Sequence, residues 1–427
     1  MSFYSQFTKI SYLETSKHNP QDRTEFVFPP STYAYGNLRL LNVGLEGAVG
    51  SLSRIGSVAL IKHIYLYSDR EVIDMLRFAN RYHSFSQLIN TNSNNRSVNK
   101  ILEKSSVGYV YDLGVRSRSV NNQNVVAVAQ NTKAGSGGYI ELPRLLKLLQ
   151  SEGLIIDTNK MKNWRLVIEC EKGKLKYLST GTNNTFVVTK PTLAYDEIIN
   201  PEIGKQLSDQ MKNFNFSCIE HDSFDMGNMS DGAKFPNGHV QSVQRKLKGF
   251  DNKFVNRLII IKNFANNTIN QTAANAMRGK GAYRSPVQHH EKINIKVNGV
   301  PVFDKAIDNE SAKQYLTADA WGSLNLEPYE GSLSVGSDNP TDGFVNHIGC
   351  SNDRSNVTGM GSYFGCRLES KIEDLEFDVQ RQKPQDSTAA APAALGRRYE
   401  QHLIYNVYAE VAKQFIVDKD GFSVRYL

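Results

Sequence analysis

Leu60-Ile-Lys-His-Ile-Tyr-Leu-Tyr-Ser-Asp-Arg-Glu-Val-Ile-Asp74 sets the fold of this chain. From Val58 to Tyr67 the pattern predicts a strand, with Ile64 and Leu66 on one face and His63, Tyr65 and Tyr67 on the other. Ser68-Asp69 makes a turn, and Val72-Ile73-Asp74 returns. The same plan recurs at Ile293-Asn-Ile-Lys-Val-Asn-Gly-Val-Pro-Val-Phe-Asp304. There Ile293, Ile295 and Val297 alternate with Lys292, Asn294 and Lys296. Asn298-Gly299 is a strong two-residue hairpin signal, and Val302-Phe303-Asp304 is the expected return strand. Each hairpin runs into a polar-aromatic segment with helical character, 74–89 and 304–320. Asp74 and Asp304 stand about half a chain length apart, the spacing of two tandem domains of equal size. Alternating hairpins also recur by chance in β proteins, so the duplication needs the rest of the chain beside it.

The remaining composition agrees with β structure. The chain has 427 residues, enough for two domains, with 40% hydrophobic and 22% charged residues. That supplies real cores and excludes wholesale disorder. Tyr and Phe number 20 each, and strand-forming residues alternate with Asn-, Ser- and Gly-rich turns. The formal charge of +7 is dispersed, with no long block of like charge. It fits a solvated basic surface, or a face turned toward nucleic acid or an anionic membrane. Cys170, Cys218, Cys350 and Cys366 match no zinc spacing. A Cys350–Cys366 pair and free thiols both fit, and thiols made in a reducing compartment are favoured. Met1-Ser-Phe-Tyr-Ser-Gln-Phe7 lacks the basic-then-apolar form of a secretory signal, so none is expected. No apolar run approaches the ~18 residues of a membrane span.

Residues 1–20 read as an N-terminal arm. Phe3, Tyr4, Phe7 and Ile10 fall at helical spacing, which predicts a short amphipathic helix ended by Pro20 and makes these four the candidate assembly contact. Further strands are expected at Thr24–Phe28, Leu38–Leu45, Val107–Leu113, Val125–Ala129, Arg165–Cys170 and Thr185–Leu193. Leu142 to Gly153 predicts a short helix, with Pro143 in its first turn and Gly153 as its stop. Residues 196–214 are a largely helical connector. Strands resume at Phe216–Ile219, Val255–Ile261, Leu375–Val379, Leu403–Val411 and Phe422–Tyr426. Gly331 to Gly361 and Lys383 to Gly396 are long polar or low-complexity loops.

Catalytic constellations are not evident. The chain has no phosphate-cradling Gly-x4-Gly-Lys-Ser/Thr loop and no Gly-x-Ser-x-Gly elbow. His289-His290 on a strand would face opposite ways, so no metal site is expected, and no cofactor. Asp374, Glu376 and Asp378 alternate with Leu375 and Phe377 as a solvated strand face. Arg77-Phe-Ala-Asn-Arg-Tyr82 and Arg397-Arg-Tyr399 could stack on nucleic acid, but a helix surface and a strand entry explain them better.

The order of elements resembles the double jelly-roll major capsid proteins of double-stranded DNA viruses. Three passages carry the likeness. Leu60 to Asp74 is similar to the hairpin of that family's first domain. Ile140-Glu-Leu-Pro-Arg-Leu-Leu-Lys-Leu-Leu-Gln150 followed by Trp164-Arg-Leu-Val-Ile-Glu169 is similar to its proline-bearing apolar helix and next strand. Tyr315 to Gly331, with Leu324-Asn-Leu-Glu-Pro-Tyr-Glu-Gly331, resembles a stretch late in its second domain. Beyond these three, the closing Tyr405 to Phe415 resembles its final strand.

The resemblance implies an all-β fold of two tandem eight-stranded jelly-roll β-sandwiches with short helices in the connecting loops. The expected division is an arm over 1–20, a first jelly roll over 21–212 and a second over 213–427. It further implies a homotrimer of pseudo-hexagonal outline that tiles an icosahedral shell in the virion. Its other partners would be minor capsid or penton proteins and an internal membrane, with no sequence-specific nucleic acid. A β-sandwich viral spike or carbohydrate-binding module is the alternative. An enzyme on such a scaffold would need distant carboxylates, histidines or a metal set to converge.

Overall fold

A computed structural model describes residues 7–20, 22–46, 56–90, 102–103, 138–161, 163–171, 187–227, 229, 233–236, 238–264, 291–322, 363–382, 402–418 and 421–427. The first half contributes β1 (Thr8–Leu13), β2 (Lys17–His18), β3 (Arg23–Val27), β4 (Tyr33–Tyr35), β5 (Arg39–Val43), β6 (Leu45–Glu46), β7 (Ile61–Ser68) and β8 (Glu71–Arg77). It continues with helix α1 (Ala79–Asn90), β9 (Gly138–Glu141), β10 (Ile155–Asp157), β11 (Arg165–Cys170), β12 (Val187–Val188) and β13 (Thr192–Ile198). One sheet runs β10-β4-β13-β5-β9, with β1 added on β13. A second runs β2-β3-β11-β7-β8, and β6 and β12 form a small ribbon.

Helix α2 (Pro201–Gln210) leads to the second half. Its strands are β14 (Phe214–Asp225), β15 (Val240–Lys246), β16 (Lys253–Phe264), β17 (Glu291–Val297), β18 (Val300–Pro301), β19 (Tyr363–Ile372), β20 (Leu375–Gln382), β21 (Leu403–Asp418) and β22 (Gly421–Tyr426), with helix α3 (Glu310–Trp321) between β18 and β19. They make a sheet β14-β21-β16-β19, with β22 on β21, and a sheet β15-β20-β17-β18. Among the described residues every strand pairing is antiparallel and stays within one half.

Both hairpins form, and alternation fills the cores. Ile64 opposes Ile168 and Leu66 opposes Leu166 across β7 and β11, and all four are buried. In the second half Ile293 opposes Val379 and Ile295 opposes Phe377, again all buried. Lys292, Asn294 and Lys296 face away, and Lys296 reaches Glu376 at 2.8 Å on the outer face. Val297, expected in the core, is only half-buried at its rim. Asn298 and Gly299 both have positive φ (52° and 79°), the geometry of the tight hairpin turn. The return strand is Val300–Pro301, earlier and shorter than the expected Val302–Asp304, although the Val302 N–H still donates to the Ile295 carbonyl at 2.8 Å.

Several local expectations are corrected. Thr8–Leu13 is a strand, so the expected helix does not run through Ile10: pairing with β13 satisfies this stretch's backbone, whereas an isolated short helix is marginal; Phe7, just before it, is helical. Strand β7 starts only at Ile61, after a buried 3₁₀ turn over Gly56–Leu60. The helix expected from Asp74 begins at Ala79, since Met75 to Arg77 still pair with β7 and Phe78 breaks the strand with φ of 48°. Leu142–Gly153 is two 3₁₀ turns, Leu142–Arg144 and Lys147–Gln150. Leu142, Leu145, Leu146, Leu148 and Leu149 are all buried. Pro191 splits the expected strand at 185–193 into β12 and β13. The connector helix forms as α2, its N-terminus capped by the Asn200 side chain, which accepts from the N–H groups of Glu202 and Ile203.

One continuous apolar cluster joins the halves, running from Phe26 and Leu66 through Trp164 to Phe415 and Phe422. Cys170, Cys218 and Cys366 are buried free thiols. The strands expected at Val107–Leu113 and Val125–Ala129, the loops 331–361 and 383–396, Cys350, His289-His290 and Arg397-Arg-Tyr399 lie outside the described residues.

Candidate assembly surface and the seam between the halves

The expected contact falls on β1. Thr8 lies opposite Ile198 and Leu13 opposite Leu193. Lys9 pairs with Glu197 at 3.2 Å, and the Ser11 hydroxyl donates to the same carboxylate. Alternation then turns Ile10 and Tyr12 outward, 56% and 64% exposed. Ile199, just past β13, is also exposed, and its N–H donates to the Phe7 carbonyl at 2.8 Å. Phe7 is half-buried; Phe3 and Tyr4 lie outside the described residues. Among the described residues β1 pairs only with β13, so its outer edge carries no strand. An open groove of about 980 Å³ begins at Thr8 and is lined by Tyr35, Ile155, Leu207, Met211 and Phe214. An edge strand with outward apolar side chains is a surface fit for another chain.

Where the halves meet, Phe78 is the central residue. Its N–H donates to His63 Nδ1 at 3.0 Å, and its carbonyl accepts from the Tyr408 hydroxyl at 3.0 Å. Its ring sits between His63 and His221, with centroids 4.7 and 4.8 Å away, under the Arg81 guanidinium at 4.4 Å. Arg81 also donates to Asn406 Oδ1 at 2.9 Å, which contacts His221 Nε2 at 3.0 Å. The aromatic contacts continue through Tyr82 and Tyr408 to Trp321, Phe85 and Tyr363. Burial lowers both His63 and His221 to about 4, helped by the neighbouring cations, so both are neutral near pH 7.

A second polar cluster lies below this one. Asp74 is fully buried; its carboxylate accepts from Leu148 N–H at 2.9 Å and Met75 N–H at 2.8 Å, and burial raises it to about 6. Glu220 binds Lys253, Lys413 and the Tyr426 hydroxyl. Inside the second sandwich Glu291 lies between Lys262 and Lys313, each 3.0 Å from Oε2, with all three essentially inaccessible. The Tyr405 hydroxyl donates to its other oxygen. Burial alone would raise the Glu291 carboxyl, but the two ammonium groups and Tyr405 hold it at about 2. These are structural ion clusters; among the described residues no group of three His, Cys, Asp or Glu could hold a metal ion, and no helix is long and apolar enough to cross a membrane.

Of the basic-aromatic segment Arg77–Tyr82, Arg81 and Phe78 tie the halves and Tyr82 is buried, while Arg77 is exposed. Glu376 and Asp378 on the outer face of β20, and Asp374 just before it, face Lys296, Ser242 and Lys246. His63, His221 and Tyr408 went unrecognised as a set, because only the fold brings them together.

No protein-family model matches the chain, and no curated protein does. Solved structures match along nearly its whole length. VP54 of PBCV-1, fitted into a reconstruction of the virophage Sputnik, is 10% identical with a TM-score of 0.59, covering 98% of this chain and 97% of that one. The mavirus major capsid protein is 10% identical with a TM-score of 0.53, covering 98% and 90%. The Faustovirus major capsid protein is 7% identical with a TM-score of 0.52, covering 96% and 90%. At such identities the likeness is one of fold. The chain has the double jelly-roll fold, two β-sandwiches in tandem, on which those viral capsid proteins are built.

Proposed function

We propose that this protein is a major capsid protein whose homotrimers form pseudo-hexagonal capsomers tiling an icosahedral virus shell. The observation that carries this is the pair of side-by-side sandwiches fused through one core, which matches viral capsid proteins from end to end. Two sandwiches per chain give a trimer six similar walls, the shape a hexagonal lattice needs. The working division is an arm over 1–20, a first jelly roll over 21–212 and a second over 213–427, with α2 and the turn after it as the joint. The role is structural, in the virion. The outward Ile10 and Tyr12, with Phe3, Tyr4 and Phe7 ahead of them, form an assembly contact with a neighbouring subunit or a minor capsid or penton protein. An internal membrane is the other surface such an arm would meet, and sequence-specific nucleic-acid recognition has no part in the role. Producing the full chain and imaging the product by electron microscopy tests this. Closed shells or hexagonal arrays support it; dispersed monomers under all assembly conditions contradict it.

A further inference from the structure

We infer that the Phe78 seam is an acid-sensitive latch: protonating His63 and His221 releases the first half's joint from the second half. The geometry makes the neutral form of His63 a requirement. Its Nδ1 accepts from the Phe78 N–H, and an imidazolium has no acceptor there, so protonation sets two N–H groups against each other. Phe78 is also a non-glycine residue at φ of 48°, a conformation held by its partners rather than by its own preference.

The charges around the pair point the same way. Lys62 on the same strand, Arg77 opposite on β8 and Arg81 on α1 all disfavour a cation on His63. Glu169 opposite on β11 is the one acid facing it in the ladder, and Tyr65 is its aromatic neighbour. His221 meets Arg81 and Arg77 from the first half, and Asn406 and Tyr408 on β21. Glu220 and Asp222 flank it on β14 but alternate to the opposite face, where they bind Lys253 and the Gly249 N–H. The Asn406 Oδ1 contact favours a charged His221, but burial and the two arginines outweigh it, and a second proton adds to the repulsion of the first.

Both groups take up protons more readily when the seam is open. The closed seam is fully stable above about pH 6.5, the value of a free imidazole. Its hold weakens as pH falls from there toward 4. With two protons linked, the opening equilibrium rises by up to about a hundredfold per pH unit in that window. Asp74 acts oppositely, because the closed form keeps its proton more tightly, so the histidine effect is read as a difference between proteins.

The test is hydrogen exchange of the full-length protein between pH 7.5 and 4.5, corrected for intrinsic rates, with the His63→Asn/His221→Gln double variant beside it. Wild type should lose protection in α1 and in residues 403–411 on acidification. The variant should open somewhat more near pH 7.5 but with a flatter slope, so that wild type overtakes it on acidification. An equal slope in both proteins, or none in wild type, overturns the latch. Exchange at the histidine C2 positions of wild type provides a check that needs no variant: midpoints near 4 support the latch, and midpoints at or above 6.5 refute it.

Discussion

Tyr408 donates its hydroxyl to the carbonyl of Phe78 across 3.0 Å, joining residues 330 positions apart. The same carbonyl accepts from the N–H groups of Arg81 and Tyr82 in the first turn of α1. One backbone oxygen thus starts a helix of the first sandwich and anchors the second. With an apolar core that runs through both halves, this makes the pair a single mechanical unit.

Removing that hydroxyl with Tyr408→Phe should cost about 1 kcal/mol, since the carbonyl keeps its other donors. Phe78→Ala removes the half-buried ring between two imidazoles and should cost about 2–3 kcal/mol, less than the loss of a fully buried Phe. Urea unfolding followed by fluorescence and circular dichroism should show one shared transition in both variants. Two separated transitions in wild type would mean that the halves fold independently.

Glu291 should be the most costly single carboxylate to neutralise. Glu291→Gln leaves Lys262 and Lys313 buried without their counter-charge, a loss of about 3–5 kcal/mol. Glu376→Gln, across a half-exposed and solvent-screened pair with Lys296, should cost far less. The pH dependence has a definite sign. The folded carboxyl titrates at about 2, below its free value of 4.5, so its contribution is complete above 4.5 and lost as pH falls through 2. Denaturant midpoints measured from pH 5 to pH 2 should fall less steeply for Glu291→Gln than for wild type.

Gly204→Ala should destabilise although alanine is the better helix former. A Cβ at that position would lie 2.5 Å from the Tyr33 ring, on the face where α2 packs on β4. Propensity alone predicts a gain of about 1 kcal/mol. A thermal melt showing a loss of 1–3 kcal/mol instead would confirm that close packing sets this position.

The hairpins were legible because one buried face imposes strict alternation: Ile64, Leu66, Ile293 and Ile295 are inside and their neighbours outside. The strand at Thr8–Leu13 was hidden because Phe3, Tyr4, Phe7 and Ile10 fit a helix, and nothing local reveals that β13 offers it an edge. Leu142–Gln150 looked helical from its leucines, yet Asp74, from far up the chain, takes the Leu148 N–H and helps to hold the turn. The seam could not be read at all. Arg81 and Phe78 stood out as a basic-aromatic pair, but their partners Asn406, His221 and Tyr408 come from the other half.

The outward side chains of β1 separate folding from assembly. Ile10→Asp with Tyr12→Ser changes only exposed positions, so thermal stability should move by no more than about 0.5 kcal/mol. Particle formation, counted by electron microscopy, should drop sharply. Unimpaired assembly would remove β1 from the contact.

The central claim is a trimer of two-sandwich subunits, and the mass of the purified full-length protein in solution tests it most directly. Light scattering at micromolar concentration should give three times the 47.9 kDa chain mass, held by contacts well above the ~1,600 Å² of a standard complex. Images of the same sample should show a six-lobed outline. A stable monomer at 47.9 kDa, with no higher species on concentration, would contradict the account.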